Sequence, residues 1–283
     1  MTGRQRERRR GRTGAALVAA GVATAVGIGA GGCAGGDAVA GDARGGDAVA
    51  TLRGAADRLV EAGSSKARTS MEMATGGTRV TIRGAGVYDY RERLGQLRVL
   101  LPQDPAGAEE RRPITELLAP GALFMKNRGA GVPPDKWVRV ETRTLSDGNL
   151  VTGGATDPLT AAEVLRGTRS ARYVGRTEVA GTGVRHYRGT AHLGDAAERA
   201  SKGNAGSLRA AAKGFATAEV PFDAYLDDEG RVRKVRHRFS FVNGQQKKPV
   251  AVASTTLLYA FGAPVRVRLP DEDDIYAGRI AEE

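Results

Sequence analysis

The sequence predicts an α+β domain whose body is an antiparallel sheet with one apolar face covered by helices. Three observations carry that expectation. Most apolar runs alternate with polar residues, as in "TRVTIRGAG" (78–86), where Val80 and Ile82 oppose Arg79, Thr81 and Arg83. Alternation of this kind marks strands with one buried and one wet face, which belong to antiparallel sheets. The runs are separated by turn-rich spacers such as "RGAGVPPD" (128–135) and "DDEG" (227–230). Helical periodicity, by contrast, is confined to a few segments.

Taken in order, the first periodic segment is "TLRGAADRLVEAG" from Thr51. It sets Leu52, Ala56, Leu59 and Val60 on one stripe, and Gly63 supplies a stop. Strands follow at "KARTSMEM", "TRVTIRGAG" and "QLRVLL", and a hairpin joins "ALFMKN" to "KWVRVET". "TDPLTAAEVLRG" is the clearest helix. Asp157 caps it, Pro158 suits its first turn, and Gly167 ends it. "ARYVGRTEVAGTGVRHYRGTAHL" reads as a hairpin turning at Ala180 to Gly183. A helical stretch containing "SLRAAAKG" precedes "VPFDAYL", which meets "RVRKVRHRFSF" across "DDEG". "PVAVASTTLLYAF" and "APVRVRLP" are the last expected strands, and the acidic run Asp271 to Asp274 reads as a solvated end.

The first fifty residues have a different character. "MTGRQRERRRGR" carries six arginines against one acid, and Thr13 to Gly32 contains no charged residue. A positive start before an uncharged, mildly apolar run is the layout of an export signal. Within it, Gly27, Gly29 and Gly32 satisfy G-x-G-x-x-G, the fingerprint of a dinucleotide-binding loop. That loop requires a helix opening at its last glycine and an acid at the end of a second strand. "AGGDAVAGDARGGDAVA" follows instead, with Asp42 and Asp47 in a glycine-rich tract, so no nucleotide cofactor is expected.

Cys33, the one cysteine of the chain, stands between Ala30-Gly31-Gly32 and Ala34-Gly35-Gly36. This context resembles the lipobox of bacterial lipoproteins, whose cysteine receives a diacylglycerol and becomes the first mature residue. Ala30 stands where a leucine is usual. Two alternatives stay open: cleavage after Ala38-Val39-Ala40, and an uncleaved anchor of about twenty residues. All three place the rest of the chain outside the cytoplasm, and the export route stays open. The expected organisation is a signal over residues 1–32, lipidated Cys33 with a flexible tether to Ala50, and one domain over residues 51–283.

Removing residues 1–32 takes away six arginines and one glutamate, which lowers the formal net charge from +11 to +6. That residue of positive charge suits work beside anionic lipid or wall polymer. No nucleic-acid motif accompanies it, and "RVRKVRHR" (231–238) is spaced as the wet face of a strand. A single lipidated cysteine leaves no disulfide within the chain, so one apolar core must stabilise the domain.

The order of parts is similar to the actinobacterial lipoprotein family typified by LppX and LprG, within the LolA/LolB-like superfamily. The resemblance runs from about Leu52 to Ile275. It is carried by "GSSKARTSMEM", "ALFMKNRGAGVPPDKWVRVE", "DPLTAAEVLRG", "YVGRTEVAGTGVRHYRGTA", "VPFDAYLDDEGRVRKVR" and "YAFGAPVRVRLPDEDDI". Tyr225 stands where the family commonly has tryptophan. The resemblance implies a strongly curved antiparallel sheet, a half-barrel, with helices across its concave face and an apolar cavity for acyl chains between the layers. It also implies a lipid or glycolipid ligand, bound as carrier or sensor, and fixes no ligand residue by number.

No catalytic residue is assigned, since the chain lacks G-x-S-x-G and H-E-x-x-H. His186, His192 and His237 fall in strands, the first two with polar neighbours that suggest solvent exposure. Asp227, Asp228 and Glu229 are turn residues rather than a cation loop, so no metal is expected. The membrane, through the lipid anchor, and a lipid ligand are the expected partners of a monomer that binds no nucleic acid. The rival reading is a ligand-free surface module that docks a protein partner.

Overall fold

The computed structural model describes residues 36–75, 78–102, 112–127, 131–242 and 249–277. Helix α1 (Gly36–Ala62) leads into strands β1 (Ser64–Thr75), β2 (Thr78–Asp89) and β3 (Leu94–Leu100). Three shorter strands follow: β4 (Ile114–Ala119), β5 (Ala122–Lys126) and β6 (Trp137–Glu141). After a long loop come α2 (Pro158–Val164), β7 (Thr168–Val179) and β8 (Thr182–His192). The chain then forms α3 (Leu193–Arg199), α4 (Lys202–Gly214), β9 (Glu219–Leu226), β10 (Val232–Val242) and β11 (Pro249–Tyr259).

All eleven strands join one antiparallel sheet in the order β6-β5-β4-β3-β2-β1-β11-β10-β9-β8-β7. The chain lays strands outward from β1 to β6, crosses to the far edge at β7, and returns inward until β11 pairs with β1. The sheet is curved and does not close. The helices cover its inner, concave face. Register follows the period-two pattern: Met71 of β1 faces Ile82 of β2 and Ser254 of β11, and all three lie on the inner side. Buried Leu97, Val99, Phe222, Val235, Phe239, Val252 and Leu258 continue that face across the other strands. One contiguous core results.

Local signals placed these elements well. Gly63 ends α1 at φ 83°, its N–H reaching back to the carbonyls of Leu59 and Val60. Asp157 caps α2 by accepting from the Thr160 N–H at 2.6 Å, with Pro158 at the first helical position. The β7–β8 hairpin turns through Ala180 and Gly181, both at positive φ, as a two-residue hairpin turn requires.

The structure departs from expectation in three ways. Helix α1 starts at Gly36, within the stretch read as a flexible tether. Ala48 lies one turn before Leu52 on the stripe that continues through Ala55, Ala56 and Leu59, and it is buried with them. Burying that turn against the fold outweighs the roughly 1 kcal/mol that each of Gly45 and Gly46 costs a helix. The folded domain therefore begins before Thr51. Strand β4 and the short helix α3 are further elements that the sequence does not announce.

The third departure is "APVRVRLP", which joins no sheet. It runs as an extended strap beyond β11, tied at its start by Ser64, whose hydroxyl donates to the Ala263 carbonyl at 2.6 Å. Val267, Leu269 and Ile275 pack on Leu117, Ala122, Phe124 and Trp137, on the outer side of β4, β5 and β6. Ile275 forms a parallel bridge with Trp137, and the Tyr276 N–H donates to the Trp137 carbonyl at 2.8 Å. Asp271 to Asp274 are exposed as expected, but they form a turn within this strap rather than a free end. The strap gives β4 and β5 a second buried face. That explains why "ITELLA" does not alternate.

Replacing Ile275 by Asp should therefore loosen the strap and uncover the outer cluster. We expect a loss of about 1–3 kcal/mol in urea unfolding and a red shift of emission from Trp137, the one tryptophan. Unchanged stability and emission would show that the strap contributes no packing energy.

Candidate functional site: the loop-filled concave face

The site to which the fold directs attention is the inner face of the sheet. The helical layer above it is tied to itself by charged groups. Arg166, just beyond α2, grips Asp57 of α1 in a bidentate pair at 3.0 and 2.6 Å. Buried Glu163 of α2 accepts from the Ser201 N–H at 3.0 Å and from the Asn204 side chain of α4 at 2.8 Å. Small residues bring the helices close: Ala55, Ala56, Ala161, Ala162, Ala196 and Ala211 are all buried there.

Between β6 and α2 the chain runs through residues 145–157, "LSDGNLVTGGATD", after a single 3-10 turn at Thr142–Thr144. This irregular segment enters the space between sheet and helices. Leu150, Val151 and Ala155 are buried. A Cβ placed on Gly154 would lie 3.2 Å from Ile82 and 3.4 Å from Val99, and one on Gly84 would lie 3.4 Å from the Ala155 methyl. The loop backbone therefore rests directly on β2 and β3.

A loop buried in this way must satisfy its own backbone. The Asp147 carboxylate does so by accepting from the N–H groups of Asn149 (3.0 Å), Val151 (2.9 Å) and Thr152 (2.6 Å). The Asn149 side-chain oxygen accepts from the Gly153 N–H at 3.0 Å. Gly148, Asn149 and Gly154 hold positive φ, where glycine and asparagine are tolerated. At Gly148 a side chain is also excluded by space, since its Cβ would fall 2.0 Å from the Ser207 carbonyl oxygen. The Thr156 hydroxyl donates to the Leu150 carbonyl at 3.0 Å and lies 2.6 Å from the Ser254 hydroxyl of β11.

With the loop in place the inner face is packed. Leu52, Leu59, Leu97, Leu123, Leu159 and Phe222 are completely buried, so no water-sized gap adjoins them. Beside Thr142, Asn149, Asp157, Asn204 and Ser207 lies a polar cavity of about 20 Å³, room for one water. Among the described residues, the chain's own loop occupies the space between the layers beside these side chains.

Several titratable groups lie at this face. The Tyr88 and Tyr90 rings are 5.2 Å apart. Tyr88 hydrogen-bonds the Asp157 carboxylate, and the Tyr90 hydroxyl is 2.6 Å from that of Ser65. Burial pushes both phenols well above their ordinary range. Burial also raises the Asp157 carboxyl, against the pull of its bonds to Thr160 and Tyr88. His237 of β10 stacks near Phe239 with ring centres 5.7 Å apart and meets Phe222 edge-on. Among the described residues its Nε2 has no hydrogen-bond partner, and burial pushes its pKa down to about 3.

His186 is not solvent-exposed: its Nε2 lies 2.9 Å from Asp223, and its ring stacks on Tyr225 at 4.3 Å. His192 is half-covered and caps α3, accepting from the Asp195 N–H. Asp227 is buried and holds the turn by accepting from the Arg231 N–H and guanidinium at 2.9 and 2.8 Å, while Asp228 and Glu229 are exposed. Among the described residues no group of three metal-ligating side chains converges. Cys33 and the uncharged run Thr13 to Gly32 lie outside the described residues. Within those residues no helix is long and apolar enough to cross a membrane. Sequence reasoning passed over Asp147 to Ala155 altogether. The long gap between a strand and a capped helix, with Asp-Gly-Asn and Gly-Gly inside it, was the available signal.

No family model matches the chain, and none of the curated proteins does. Among solved structures it is similar to the Mycobacterium tuberculosis lipoprotein LppX, at 10% identity and a TM-score of 0.49, over 79% of this chain and 99% of that one. LprF from Mycobacterium bovis matches at 12% identity and a TM-score of 0.41, over 80% and 97%. A LolA superfamily protein from Nitrosomonas europaea matches at 11% and 0.33, over 81% and 97%. The solved structures that this chain is similar to thus include two lipoproteins and a LolA superfamily member, the groups that its sequence resembles.

His237 sets an acid limit on the packed state. Its folded pKa of about 3 lies below the unfolded value near 6.5. The unfolded chain therefore binds the extra proton, and stability present above pH 6.5 is lost as pH falls from 6.5 toward 3. The expected slope is about 1.4 kcal/mol per pH unit, so His237→Leu should flatten the profile between pH 6 and pH 4. Asp157 acts in the opposite sense in both proteins, so the difference between the profiles isolates the histidine. Parallel profiles would place His237 in contact with water.

Proposed function

We propose that the chain is a membrane-anchored, extracytoplasmic lipoprotein that binds a lipid or glycolipid on the concave face of its sheet, without catalysis. Residues 1–32 serve as the export signal, and Cys33 carries the diacylglycerol anchor. The observation that carries the ligand reading is the loop over residues 145–157. It covers an apolar sheet face with irregular backbone, where a helix or second sheet would be the durable solution. A segment without regular hydrogen bonds can leave as a unit, and its departure uncovers Ile82, Val99 and Leu123 beneath the helical layer. Each methylene of an acyl chain entering there gains about 0.8 kcal/mol.

The helical layer stays in place in this reading, because α1, α2 and α4 are cross-linked by Arg166–Asp57 and by the bonds to Glu163. The loop is the part that yields. Loop and ligand compete for one face, so weakening the loop strengthens the ligand. The packed core favours a second reading, a ligand-free module that docks a protein partner. The two separate on a single experiment.

The mature chain carrying Cys33→Ser should first leave the detergent phase on partitioning, in contrast to the wild type. A serine variant that keeps its precursor mass and stays membrane-bound would favour an uncleaved anchor. Solvent extraction of the purified serine variant, followed by mass spectrometry, should then release an acyl-chain lipid. Asp147→Ala removes the acceptor of three loop N–H bonds and should tighten rebinding of that lipid to stripped protein by roughly tenfold or more. No extractable lipid, and no rebinding by either protein at micromolar concentration, would leave the docking module standing.

A further inference from the structure

The outer face of the sheet has a different chemistry. Register places Lys66 and Arg68 of β1, Arg83 of β2, Arg98 of β3 and Arg236 and Arg238 of β10 on the side away from the helices. Arg188 of β8 and Arg172 of β7 extend the row to the far edge. The acids that share this side of β1 and β9 are Glu72, Asp223 and Glu219, and each is engaged, Glu219 lying 3.5 Å from Arg169. Glu72 lies 3.4 Å from Arg236. Asp223 accepts from Arg188 and Arg238 at 2.8 Å each and pairs with His186 at 2.9 Å. Lys66, Arg68, Arg83 and Arg98 are exposed, and no carboxylate stands opposite them in the register.

Two open grooves score this face. One, of about 210 Å³, is lined by Ala74, Ala251 and Ala253 and by the charged groups Arg79, Arg236, Arg238 and Glu72, the last paired with Arg236. The other, of about 410 Å³, lies between Arg172, Arg188 and Arg238 over Gly189, Thr190 and Pro221. Arg238 borders both. Leu100, 52% exposed, stands beside Arg83 and Arg98. An exposed leucine among cations is the composition of a surface that meets lipid headgroups and the first acyl carbons.

We propose that this outer face is a membrane-docking surface that lies against an anionic phospholipid bilayer, with headgroup phosphates seated between the arginines of the two grooves and Leu100 at the headgroup boundary. Charge complementarity selects the occupant. The cations are spread over neighbouring strands rather than lined up on one helix or loop. They therefore match a two-dimensional lattice of phosphates, with the guanidinium forks suited to bidentate contact. Each cation at such a surface strengthens binding about fivefold, screened within a Debye length. The orientation of the domain rests on the reading that Cys33 anchors the chain. A tether would hold this face near the bilayer and raise its effective concentration there. The binding itself does not need the anchor.

The test uses the unacylated mature chain (Cys33→Ser) and sedimentation with vesicles. Vesicles containing phosphatidylglycerol should bind the protein, pure phosphatidylcholine should not, and added salt should release it. The variant Lys66→Gln/Arg83→Gln/Arg98→Gln changes three exposed side chains. It should bind on the order of a hundredfold more weakly while keeping the urea midpoint of the parent. Leu100→Ser should weaken binding with less change in its salt dependence. Three outcomes would overturn the proposal: equal binding to neutral and anionic vesicles, full binding by a folded triple variant, or tighter binding to duplex DNA or an acidic protein than to anionic vesicles. Vesicle binding is measured without an extracted lipid, so a failure of the concave-face reading leaves this result interpretable.

Discussion

An open sheet of eleven strands has an apolar inner face wider than the helices of this chain can cover. Burial of that face is the dominant favourable term of folding, and most of the other features follow from how it is achieved. Helix α1 supplies alanine and leucine over one half, beside β7 and the turn after α2. The other half, over β2 and β3, receives the loop over residues 145–157. A loop can do this work because Asp147 and Asn149 replace water around its backbone N–H groups. One carboxylate thus lets an irregular segment lie where regular structure would otherwise be needed.

The same requirement explains where sequence reasoning succeeded and where it stopped. Strands with one wet face announced themselves, because alternation is written residue by residue: Val80 and Ile82 against Arg79 and Arg83 needed no knowledge of the rest. The capped helix after Asp157 was equally local. Strand β4 failed that test because both of its faces are buried, and its second cover, the strap from Ala263 to Ile275, lies some 150 positions away in the chain. The strap itself alternates as a strand does, with Val265, Val267 and Leu269 turned inward. Periodicity reports that one side is buried, not what buries it. The beginning of α1 was lost for a similar reason. Gly45 and Gly46 argue against a helix locally, and only packing of Ala48 against the fold reverses that.

The candidate site was the least legible part. Nothing in Leu150, Val151 or Ala155 marks them as occupants of a sheet face. The seat of Ala155 depends on Gly84 leaving space on β2, about seventy positions earlier. Among the polar residues, the sequence offered histidines and acid runs as candidates, and the fold uses them structurally. His186 joins the Asp223 cluster, His192 caps a helix, and Asp227 closes a turn. The outer arginines followed a different path. Their spacing read correctly as a wet face. That the wet faces of β1, β2, β3 and β10 add into one basic surface depends on strand order, because β10 reaches β1 through β11, the last strand of the chain.

The two faces of the sheet impose different energetics on a ligand. In the proposed lipid-binding reading, the loop and an acyl chain exclude each other on the inner face. Apparent affinity there is the intrinsic affinity reduced by the fraction of molecules with the loop withdrawn. Withdrawal of the loop exposes the buried Leu150, Val151 and Ala155, and that loss offsets several of the roughly 0.8 kcal/mol increments that buried methylenes return. A short chain therefore gains too little to displace the loop, whereas a long one gains more with every methylene while the cost of withdrawal stays constant. Such a face discriminates by acyl length without a specific polar contact, and it closes again when the ligand leaves. A pocket that stood open would have to hold either water or lipid. A face closed by its own loop can stay dry and folded between ligands, which is what the proposed lipid-binding role asks of it.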